Sequence, residues 1–164
     1  MKILEITAVE FTFDKFISAL ARNIKSRKHC LHISFNTTEK RSKYHNEFTI
    51  KSNEIKRSKS LLSLIKAIYY LIVLFRKEKY SVIHTHTPIA SIATRIACFF
   101  YPSSKLLYTV HGFYFHEGMN IIQYKIHFFI EYILSFLTHT YFFVSKEDYE
   151  LAKRFRFSNP KNLF

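Results

Sequence analysis

The chain has 164 residues, of which 48% are hydrophobic and 18% are aromatic. A chain of this length and composition can bury a hydrophobic core, which excludes an intrinsically disordered protein. The formal net charge of +13 at pH 7 indicates an anionic partner, and nucleic acid, an acidic membrane surface and phosphorylated substrates are the alternatives.

No segment has the pattern of a secretory signal or of a membrane span. The first residues, MKILEIT, read as a short strand with Glu5 inside it rather than as the apolar core of a signal. The most apolar run, Leu61 to Phe75, is shorter than the roughly 20 residues that a spanning helix needs. Cys30 and Cys98 lack metal-site spacing, which fits a reducing compartment. We therefore expect a cytoplasmic protein.

Strand and helix patterns alternate along the chain. Lys2–Thr7 reads as the first strand, and Asp14 is predicted to cap a helix over Lys15–Arg27. The apolar stripe of that helix is Phe16, Ile17, Leu20, Ala21 and Ile24. The further predicted strands are Cys30–Phe35, a short Glu47–Ile50, Ser81–His84, Lys105–Val110 and Thr140–Val144.

Four more helices are predicted between and after these strands. They are Ile55–Lys77, Ile89–Phe100 opened by Pro88, a long helix capped by Asn120, and a helix from Ser145 to about Phe155. Ser145 and Asp148 resemble a capping box. The stripe predicted to face the core from the long helix is Ile122, Ile126, Phe129, Ile130, Ile133 and Leu137.

This alternation predicts the α/β class, with a Rossmann-like parallel sheet and helices on both of its faces. The predicted domain spans residues 1–157. Pro160 ends the last helix, and Asn162–Phe164 resembles the start of another strand. We therefore interpret residues 158–164 as the start of a further element, which the resemblance described below implies is the beginning of an interdomain segment.

The stretch Tyr108–Gly118, YTVHGFYFHEG, joins a predicted strand to a predicted helix. It contains both glycines of the chain, Gly112 and Gly118, and two of its nine histidines, His111 and His116. Ligands of open α/β sheets bind at the carboxyl ends of strands. Glycines there indicate unusual backbone angles or close approach of a ligand. This loop is therefore the predicted functional site.

The residue types in this loop leave two roles open for each polar side chain. A neutral imidazole both donates and accepts hydrogen bonds, so His111 could bind a ligand that faces the cleft, or it could order the turn. Glu117 either accepts a hydroxyl of a ligand or complements the N-terminus of the next helix. His116 is either positioned by Glu117 or is a solvated loop residue.

Other polar residues follow or occupy the neighbouring strands. His84 and His86 would share a face of a strand, but no third ligand follows at a useful spacing, so no metal site is predicted. His86 and Thr87 are predicted to line the cleft or to fix the loop. The turn Ala8–Phe13 has no glycine, so a dinucleotide-type phosphate cradle is not expected there. Glu10 in this turn is either a ligand contact or a solvent-facing residue.

A basic segment surrounds the loop after the second strand. It is either a solvated face or a patch that attracts anionic lipid, with about 1 kcal/mol contributed per cation near the surface. Nucleic acid is a weaker alternative, because no helix-turn-helix, zinc or RNP pattern occurs. The basic residues are Lys40, Arg41, Lys43, Lys51, Lys56, Arg57 and Lys59, and the candidate apolar anchors are Phe48, Leu61, Leu62, Tyr69 and Tyr70.

Three segments resemble family-4 glycosyltransferases of the branch that builds bacterial capsular, exopolysaccharide and lipid-linked glycans. They are Val82–Pro88 (VIHTHTP), Tyr108–Gly118, and the helix end with Glu131 and Thr138, where His139 replaces the usual Asp. The resemblance covers nearly the whole chain, including the first strand and its turn. HGFYFHEG is its most specific part.

The resemblance implies the N-terminal, acceptor-side half of a GT-B fold. It implies a retaining enzyme without metal or cofactor, for which a nucleotide-sugar is the donor substrate and a lipid-linked or saccharide molecule is the acceptor. The donor-binding C-terminal domain would be absent from this chain, so we expect the isolated chain to be inactive without a separate donor-binding partner. A non-catalytic membrane-surface remnant is the alternative. Peripheral association with the inner face of the cell membrane is expected, and specific nucleic-acid binding is not.

The resemblance also assigns candidate site residues. The predicted catalytic residues are His111 and Glu117. The predicted acceptor-binding residues are Gly112, His116, His86, Thr87 and Glu10.

Overall fold

A parallel β-sheet forms the centre of the computed structural model, which describes residues 1–37, 42–56, 60–116 and 118–164. Among these residues six strands pair in the order β3-β2-β1-β4-β5-β6. The strands are β1 (Lys2–Ile6), β2 (Cys30–Phe35), β3 (Thr49–Ser52), β4 (Val82–His86), β5 (Lys105–Val110) and β6 (Thr140–Phe143). The order reverses between β1 and β4, so the predicted Rossmann-like sheet is confirmed.

The helices connect successive strands. They are α1 (Glu10–Thr12), a π-helical turn (Phe13–Ile17), α2 (Ser18–Ser26), α3 (Leu61–Glu78), α4 (Pro88–Phe99), α5 (Ile121–Ser135) and α6 (Lys146–Arg154). The sequence marks several of their starts correctly. Asn120 and Ser145 accept hydrogen bonds from the first turns of α5 and α6, whereas α3, capped by Ser60, begins later than the predicted Ile55. Pro88 opens α4.

Each face of the sheet packs against its own helices. Ile3 of β1 points to one face, where Phe13, Ile17 and Ala21 of the first helical segment pack. The neighbouring Leu4 points to the other face, where α3 and α4 pack. Because strand side chains alternate between faces, a sheet covered on both sides has near-continuous apolar strands. Helices on both faces are therefore observed, as predicted.

The first helical segment differs from its prediction. It begins at Glu10, and Asp14 lies inside it rather than at its cap. A π-helical turn is wider than an α-helical turn, which changes the phase of the residues that follow. Phe13 and Ile17 are consequently buried, whereas Phe16 is exposed.

Helix α5 carries the predicted apolar stripe, but most of the stripe faces outward. Ile122, Ile126, Phe129 and Ile133 are exposed. The buried side of α5 is made by other residues, among them Leu134 and Glu131, with Tyr124, Phe128 and Tyr132 half-buried against a neighbouring apolar cluster. Sequence periodicity identifies the stripe and not the direction in which it points, so the predicted core face was wrong for this helix.

Residues 158–164 return to the sheet. Pro160–Asn162 forms a 3₁₀ turn, and Leu163 pairs with Tyr141 as an isolated parallel bridge beside β6. Leu163 is buried there. Across the described ranges, no helix is both long enough and apolar enough to cross a membrane.

Candidate functional site

The candidate site lies at the carboxyl edge of the sheet. His111 and Gly112 directly follow β5, and His86 ends β4. Glu5 lies near the end of β1, opposite His84 in the register of the β1–β4 pair. These strands flank the point where the strand order reverses, which is where open α/β sheets bind ligands. The loop singled out from the sequence therefore begins beside the expected ligand crevice.

Gly112 gives the loop its backbone geometry. Its φ is +116°, a conformation that residues with a side chain rarely adopt, and an added Cβ would meet no atom within 4 Å. The need for glycine is therefore conformational rather than steric. At Gly118 a Cβ would lie 3.3 Å from Nδ1 of His116, so the reason for glycine differs at the two positions.

A buried carboxylate faces two imidazoles behind the loop. Nε2 of His86 lies 2.7 Å from Oε2 of Glu5, and Nδ1 of His84 lies 3.1 Å from the same oxygen. Nε2 of His84 lies 2.8 Å from the Thr109 hydroxyl. All three titratable residues are less than 7% exposed. We call Glu5, His84 and His86 the Glu5 cluster.

The charge state of the Glu5 cluster follows from its surroundings. Burial by itself would raise the pKa of Glu5, but His84 and His86 outweigh it and lower the pKa to about 2. Burial lowers the pKa of His86 to about 4, assisted by His84 and opposed by Glu5. At neutral pH, Glu5 is therefore ionised and His86 is neutral.

His111 connects the Glu5 cluster to the protein surface. Its Nε2 lies 3.3 Å from Nδ1 of His86, and the ring centroids of His111 and Phe16 are 5.0 Å apart. His111 is half-buried, and this burial, together with His84, lowers its pKa. His111 is therefore an uncharged imidazole that contacts His86 through its Nε2 and lies next to the exposed ring of Phe16.

The loop after His111 is attached to the domain on its other side. The backbone N–H of Phe113 donates to Oδ1 of Asp148, at 3.5 Å. Phe113 and Phe115 stack with ring centroids 5.0 Å apart, and Phe115 is buried. Ser145 caps α6 as predicted, but the Asp148 side chain holds this loop, so the reciprocal half of the capping box is not observed.

The other predicted site residues have varied surroundings. His116 is exposed, and Glu117 lies outside the described residues. Thr87 has a positive φ of 67°, which is strained for a β-branched residue, and within the described ranges its buried hydroxyl has no hydrogen-bond partner. Oε1 of Glu10 accepts hydrogen bonds from Ser42 and Lys43, so one of its oxygens serves the neighbouring turn.

The sequence interpretation missed Glu5 as a site residue. Glu5 is a charged residue between the apolar Leu4 and Ile6 in the buried part of β1, and a buried charge requires a partner, so this signal was present in the sequence. Glu5 also supplies the third metal-ligand type that appeared to be missing, since the facing atoms of Glu5, His84 and His86 lie within 4.8 Å of one another. The expectation that a third ligand is lacking is therefore wrong. That no metal binds remains a prediction.

Comparison with known proteins identifies relatives of the chain. The family model described as "Glycosyl transferase 4-like" matches residues 5–143. The protein EpsD of Bacillus subtilis (strain 168), which is named as a glycosyltransferase, is 25% identical over 154 residues. The match covers 93% of this chain and 40% of EpsD, so the chain spans less than half the length of this relative.

Solved structures share the fold. A UDP-GlcNAc 2-epimerase from Methanocaldococcus jannaschii superposes with a TM-score of 0.74 and 12% identity, covering 100% of this chain and 45% of that one. The lipopolysaccharide outer core galactosyltransferase WaaB gives 0.71 and 15%, covering 100% and 44%. MurG of Acinetobacter baumannii gives 0.65 and 11%, covering 100% and 44%. At these identities the likeness supports a common fold alone.

Proposed function

We propose that this chain, which belongs to the glycosyl transferase 4-like family, forms the acceptor-binding half of a sugar-transferring enzyme. The reaction moves a sugar from a nucleotide-sugar to a lipid-linked or saccharide acceptor during the assembly of a bacterial capsular, exopolysaccharide or lipid-linked glycan. The donor is bound by a separate domain or partner. His111 and Glu117 are the proposed catalytic residues, and Gly112, His116, Thr87 and Glu10 the proposed acceptor-binding residues. His86, predicted with them from the sequence, is buried with its two ring nitrogens facing Glu5 and His111, so its proposed part is to support His111.

The observation that carries the proposal is the position of His111. It follows β5 directly, it is half-buried beside the exposed ring of Phe16, and one edge of its imidazole is held by the buried His86. A fixed polar group next to apolar surface at the edge of an open α/β sheet is typical of small-molecule sites. The imidazole can bind a hydroxyl, which is the functional group that a sugar acceptor offers.

The turn after β1 supports the acceptor role over donor binding. Nucleotide-binding Rossmann domains bring backbone N–H groups close to phosphates through glycines at this turn. Here the corresponding residues run from Thr7 to Glu10 and include no glycine. The turn is followed by a three-residue α-helix and a π-helical turn instead of a regular first helix. A nucleotide diphosphate therefore lacks the usual cradle at this end of β1.

A binding experiment with the 164-residue chain tests the acceptor role. The chain is labelled with ¹⁵N and titrated in parallel with a farnesyl-diphosphate-linked N-acetylglucosamine and with UDP-glucose, UDP-galactose and UDP-N-acetylglucosamine. We expect the lipid-linked sugar to shift the amide signals of residues 111–118 and the nucleotide-sugars to leave them unchanged at millimolar concentration. His111→Ala should weaken the acceptor shifts at least tenfold, while Val144→Ala, an exposed change outside this loop, should not.

Two results contradict this proposal. One is turnover of a nucleotide-sugar by the isolated chain at ordinary enzymatic rates. The other is a response of the 111–118 loop to nucleotide-sugars and not to the lipid-linked sugar. The resemblance also implies retention of anomeric configuration, which ¹H NMR of the product measures directly once a donor-binding partner restores activity.

A second proposal concerns the outer face of α3 and α5, which we propose rests on an anionic membrane surface. Each helix exposes a row of large apolar side chains, and both helices contact α4. The α3 stripe is Leu61, Leu62, Ile65, Tyr69 and Val73. The α5 stripe is Ile122, Ile126, Phe129, Ile133 and Phe136. Apolar surface of this extent is unusual on a monomeric soluble protein.

The charges on these helices favour an anionic surface. Lys66, Arg76, Lys77 and Lys125 are exposed. The acidic residues of the two helices are engaged elsewhere, since Glu78 pairs with Lys2 and Lys51 and Glu131 pairs with Arg95. The helices thus present cations without competing anions beside apolar stripes, the combination that binds acidic lipid.

The structure changes which residues could make this attachment. Phe48, a candidate anchor from the sequence, is buried in the core and was wrongly assigned. Lys43 and Lys51 of the basic segment pair with Asp14 and Glu78. Lys40, Arg41, Arg57 and Lys59 lie outside the described residues. The apolar stripes of α3 and α5 therefore replace the loop as the proposed attachment surface.

This attachment surface is adjacent to the proposed acceptor site. Helices that follow parallel strands begin at the carboxyl edge of the sheet, so Leu61 and Ile122 lie at the same edge as His111. A lipid-linked acceptor held in a membrane would reach His111 from this side. The two proposals are therefore geometrically compatible.

Vesicle sedimentation tests the attachment. We expect the chain to sediment with vesicles containing phosphatidylglycerol, and several-fold less with pure phosphatidylcholine. The double variant Ile126→Ser/Phe129→Ser should lose most of the binding, whereas Phe11→Ser/Val144→Ser, which removes comparably exposed apolar side chains outside the two stripes, should retain it. Equal binding by both double variants, or no binding by the native chain, would exclude this surface.

A further inference from the structure

A continuous row of hydrogen-bonding groups links the buried Glu5 to the half-exposed His111. Oε2 of Glu5 faces Nε2 of His86, and Nδ1 of His86 faces Nε2 of His111. The two distances are 2.7 and 3.3 Å. The row crosses three neighbouring strands, because Glu5 belongs to β1, His86 to β4, and His111 follows β5. Its members are far apart in sequence and are brought together by strand pairing alone.

The position of each proton follows from the ionised carboxylate. A carboxylate only accepts hydrogen bonds, and a neutral imidazole carries a single N–H. His86 must therefore donate from Nε2 to Glu5, which leaves Nδ1 of His86 as an acceptor. A hydrogen bond between His86 and His111 then requires the N–H of His111 to be on Nε2. Among the described residues, none forms a hydrogen bond with Nδ1 of His111.

His84 fits the same arrangement. Its Nδ1 lies 3.1 Å from Oε2 of Glu5 and can donate there. Its Nε2 lies 2.8 Å from the hydroxyl of Thr109, which can donate or accept. Both ring nitrogens of His86 are thus matched with partners of the opposite kind, and both ring nitrogens of His84 have partners that fit this arrangement.

We propose that Glu5 and His86 are positioning residues that fix His111 as its Nε2–H tautomer, so that Nδ1 of His111 is a hydrogen-bond acceptor for the ligand. The ligand group that this nitrogen recognises is a donor, such as a sugar hydroxyl, and a phosphate or carboxylate oxygen is disfavoured. The identification of the ligand as a carbohydrate rests on the proposed function, while the tautomer does not. Glu5 acts through His86, and it lies too deep to touch a ligand itself.

A metal ion in the Glu5 cluster would require the opposite protonation. Nε2 of His86 would then bind the ion, and the proton on Nδ1 would be donated to Nε2 of His111, as the outer nitrogen of a metal-bound histidine commonly does. His111 would carry its own proton on Nδ1. The 2.7 Å contact between His86 and Glu5 is the length of a charge-assisted hydrogen bond, which favours the metal-free arrangement.

Long-range ¹H–¹⁵N correlation spectra of the ¹⁵N-labelled 164-residue chain distinguish the two tautomers, because the ring cross-peak pattern identifies the protonated nitrogen. The spectra are recorded above the ordinary histidine pKa of about 6.5. We expect His86 and His111 to be protonated on Nε2. An Nδ1–H tautomer of His111 would overturn the proposal. Binding of one zinc ion per chain at the cluster, measured by elemental analysis after zinc addition, would overturn it as well.

The variant Glu5→Gln tests the origin of the tautomer. A glutamine can either donate to or accept from His86, so the tautomers of His86 and His111 should become mixed. Glu54→Gln, the same change at an exposed glutamate, should leave both spectra as in the native chain. An unchanged His111 tautomer in Glu5→Gln would remove Glu5 from the positioning role. If Glu5→Gln does not fold, the tautomers of the native chain still decide.

These spectra require neither substrate nor activity. Failure of the acceptor titration with the expected tautomer present would count against the proposed function alone. The reverse pattern, acceptor binding with the opposite tautomer of His111, would count against the positioning role alone.

Discussion

Two buried carboxylates, Glu5 and Glu131, are compensated in different ways. Both oxygens of Glu131 accept hydrogen bonds from the guanidinium of Arg95, at 2.6 and 2.7 Å. Burial opposes the charge of Arg95, but Glu131 outweighs it and raises the Arg95 pKa, so this cation is permanent. The described partners of Glu5 are imidazoles, whose charge depends on pH.

This difference in partners indicates a structural role for the Arg95–Glu131 pair and a functional role for the Glu5 cluster. The Arg95–Glu131 pair joins α4 to α5 and includes the hydroxyl of Tyr141 on β6, and no member of it has been assigned to the ligand loop. The Glu5 cluster leads through His86 to His111 at the carboxyl edge of the sheet. Removing one member should therefore affect stability in the first case, and protonation and ligand binding in the second.

The largest expected effect is on the structural pair. Arg95→Met leaves Glu131 buried without a cation, which should lower the free energy of unfolding by about 3–5 kcal/mol. Urea denaturation measures this loss. The double variant Arg95→Met/Glu131→Leu removes both charges and should recover most of the stability. A loss below about 1 kcal/mol in the single variant would show that the pair is not the structural tie described above.

The next effect is the response of the Glu5 cluster to acid. His86 and Glu5 both have pKa values that are lower in the folded chain, so the unfolded chain binds more protons and stability falls as pH falls. Protonation of His86 should lower the free energy of unfolding by about 3 kcal/mol as the pH falls from about 6.5 to 4. Protonation of Glu5 should lower the free energy of unfolding further as the pH falls from about 4.5 to 2.

Urea denaturation at a series of pH values measures these windows. In His86→Gln the decline between about pH 6.5 and 4 should be much smaller, because the titrating group is gone. His116→Gln, the same change at an exposed histidine in the loop after β5, serves as the matched control and should follow the native curve. A native curve that is flat between pH 6.5 and 4 would contradict the buried, neutral state of His86.

The smallest expected effect concerns the loop after β5, which carries His111 and Gly112. Gly112→Ala places a side chain at a φ of +116° and should cost about 1–2 kcal/mol through backbone strain. Gly118→Ala brings its new Cβ against the end of the His116 side chain, which can move, so its cost should stay below about 0.5 kcal/mol. Thermal denaturation compares the two, and equal losses would contradict the conformational role of Gly112.

Local sequence signals predicted much of the fold. Caps at Asn120 and Ser145 and the proline at the start of α4 are decided by neighbouring residues, because a cap bonds to backbone groups within one turn. The alternation of apolar strands with helical stripes predicted the parallel sheet. The loop with His111 and Gly112 was also located correctly, since a strand followed by a glycine is a local pattern.

Other predictions failed where the answer depends on distant residues. Asp14 has the composition of a helix cap, but it lies within a helical segment that begins earlier and buries Phe13. Phe48 was interpreted as a surface anchor, and it packs instead against Phe13 across the loop. In both cases a core contact outweighed the local preference.

The α/β class, most element positions and the loop that carries His111 could be predicted from the sequence, because these depend on periodicity and on short-range backbone chemistry. Tertiary structure alone decided that Glu5 meets His84 and His86, some 80 residues away, since a strand's partner is set by the pairing of the whole sheet. It also decided that the α5 stripe faces outward. A stripe has a period but no direction until a neighbouring element covers one side of the helix.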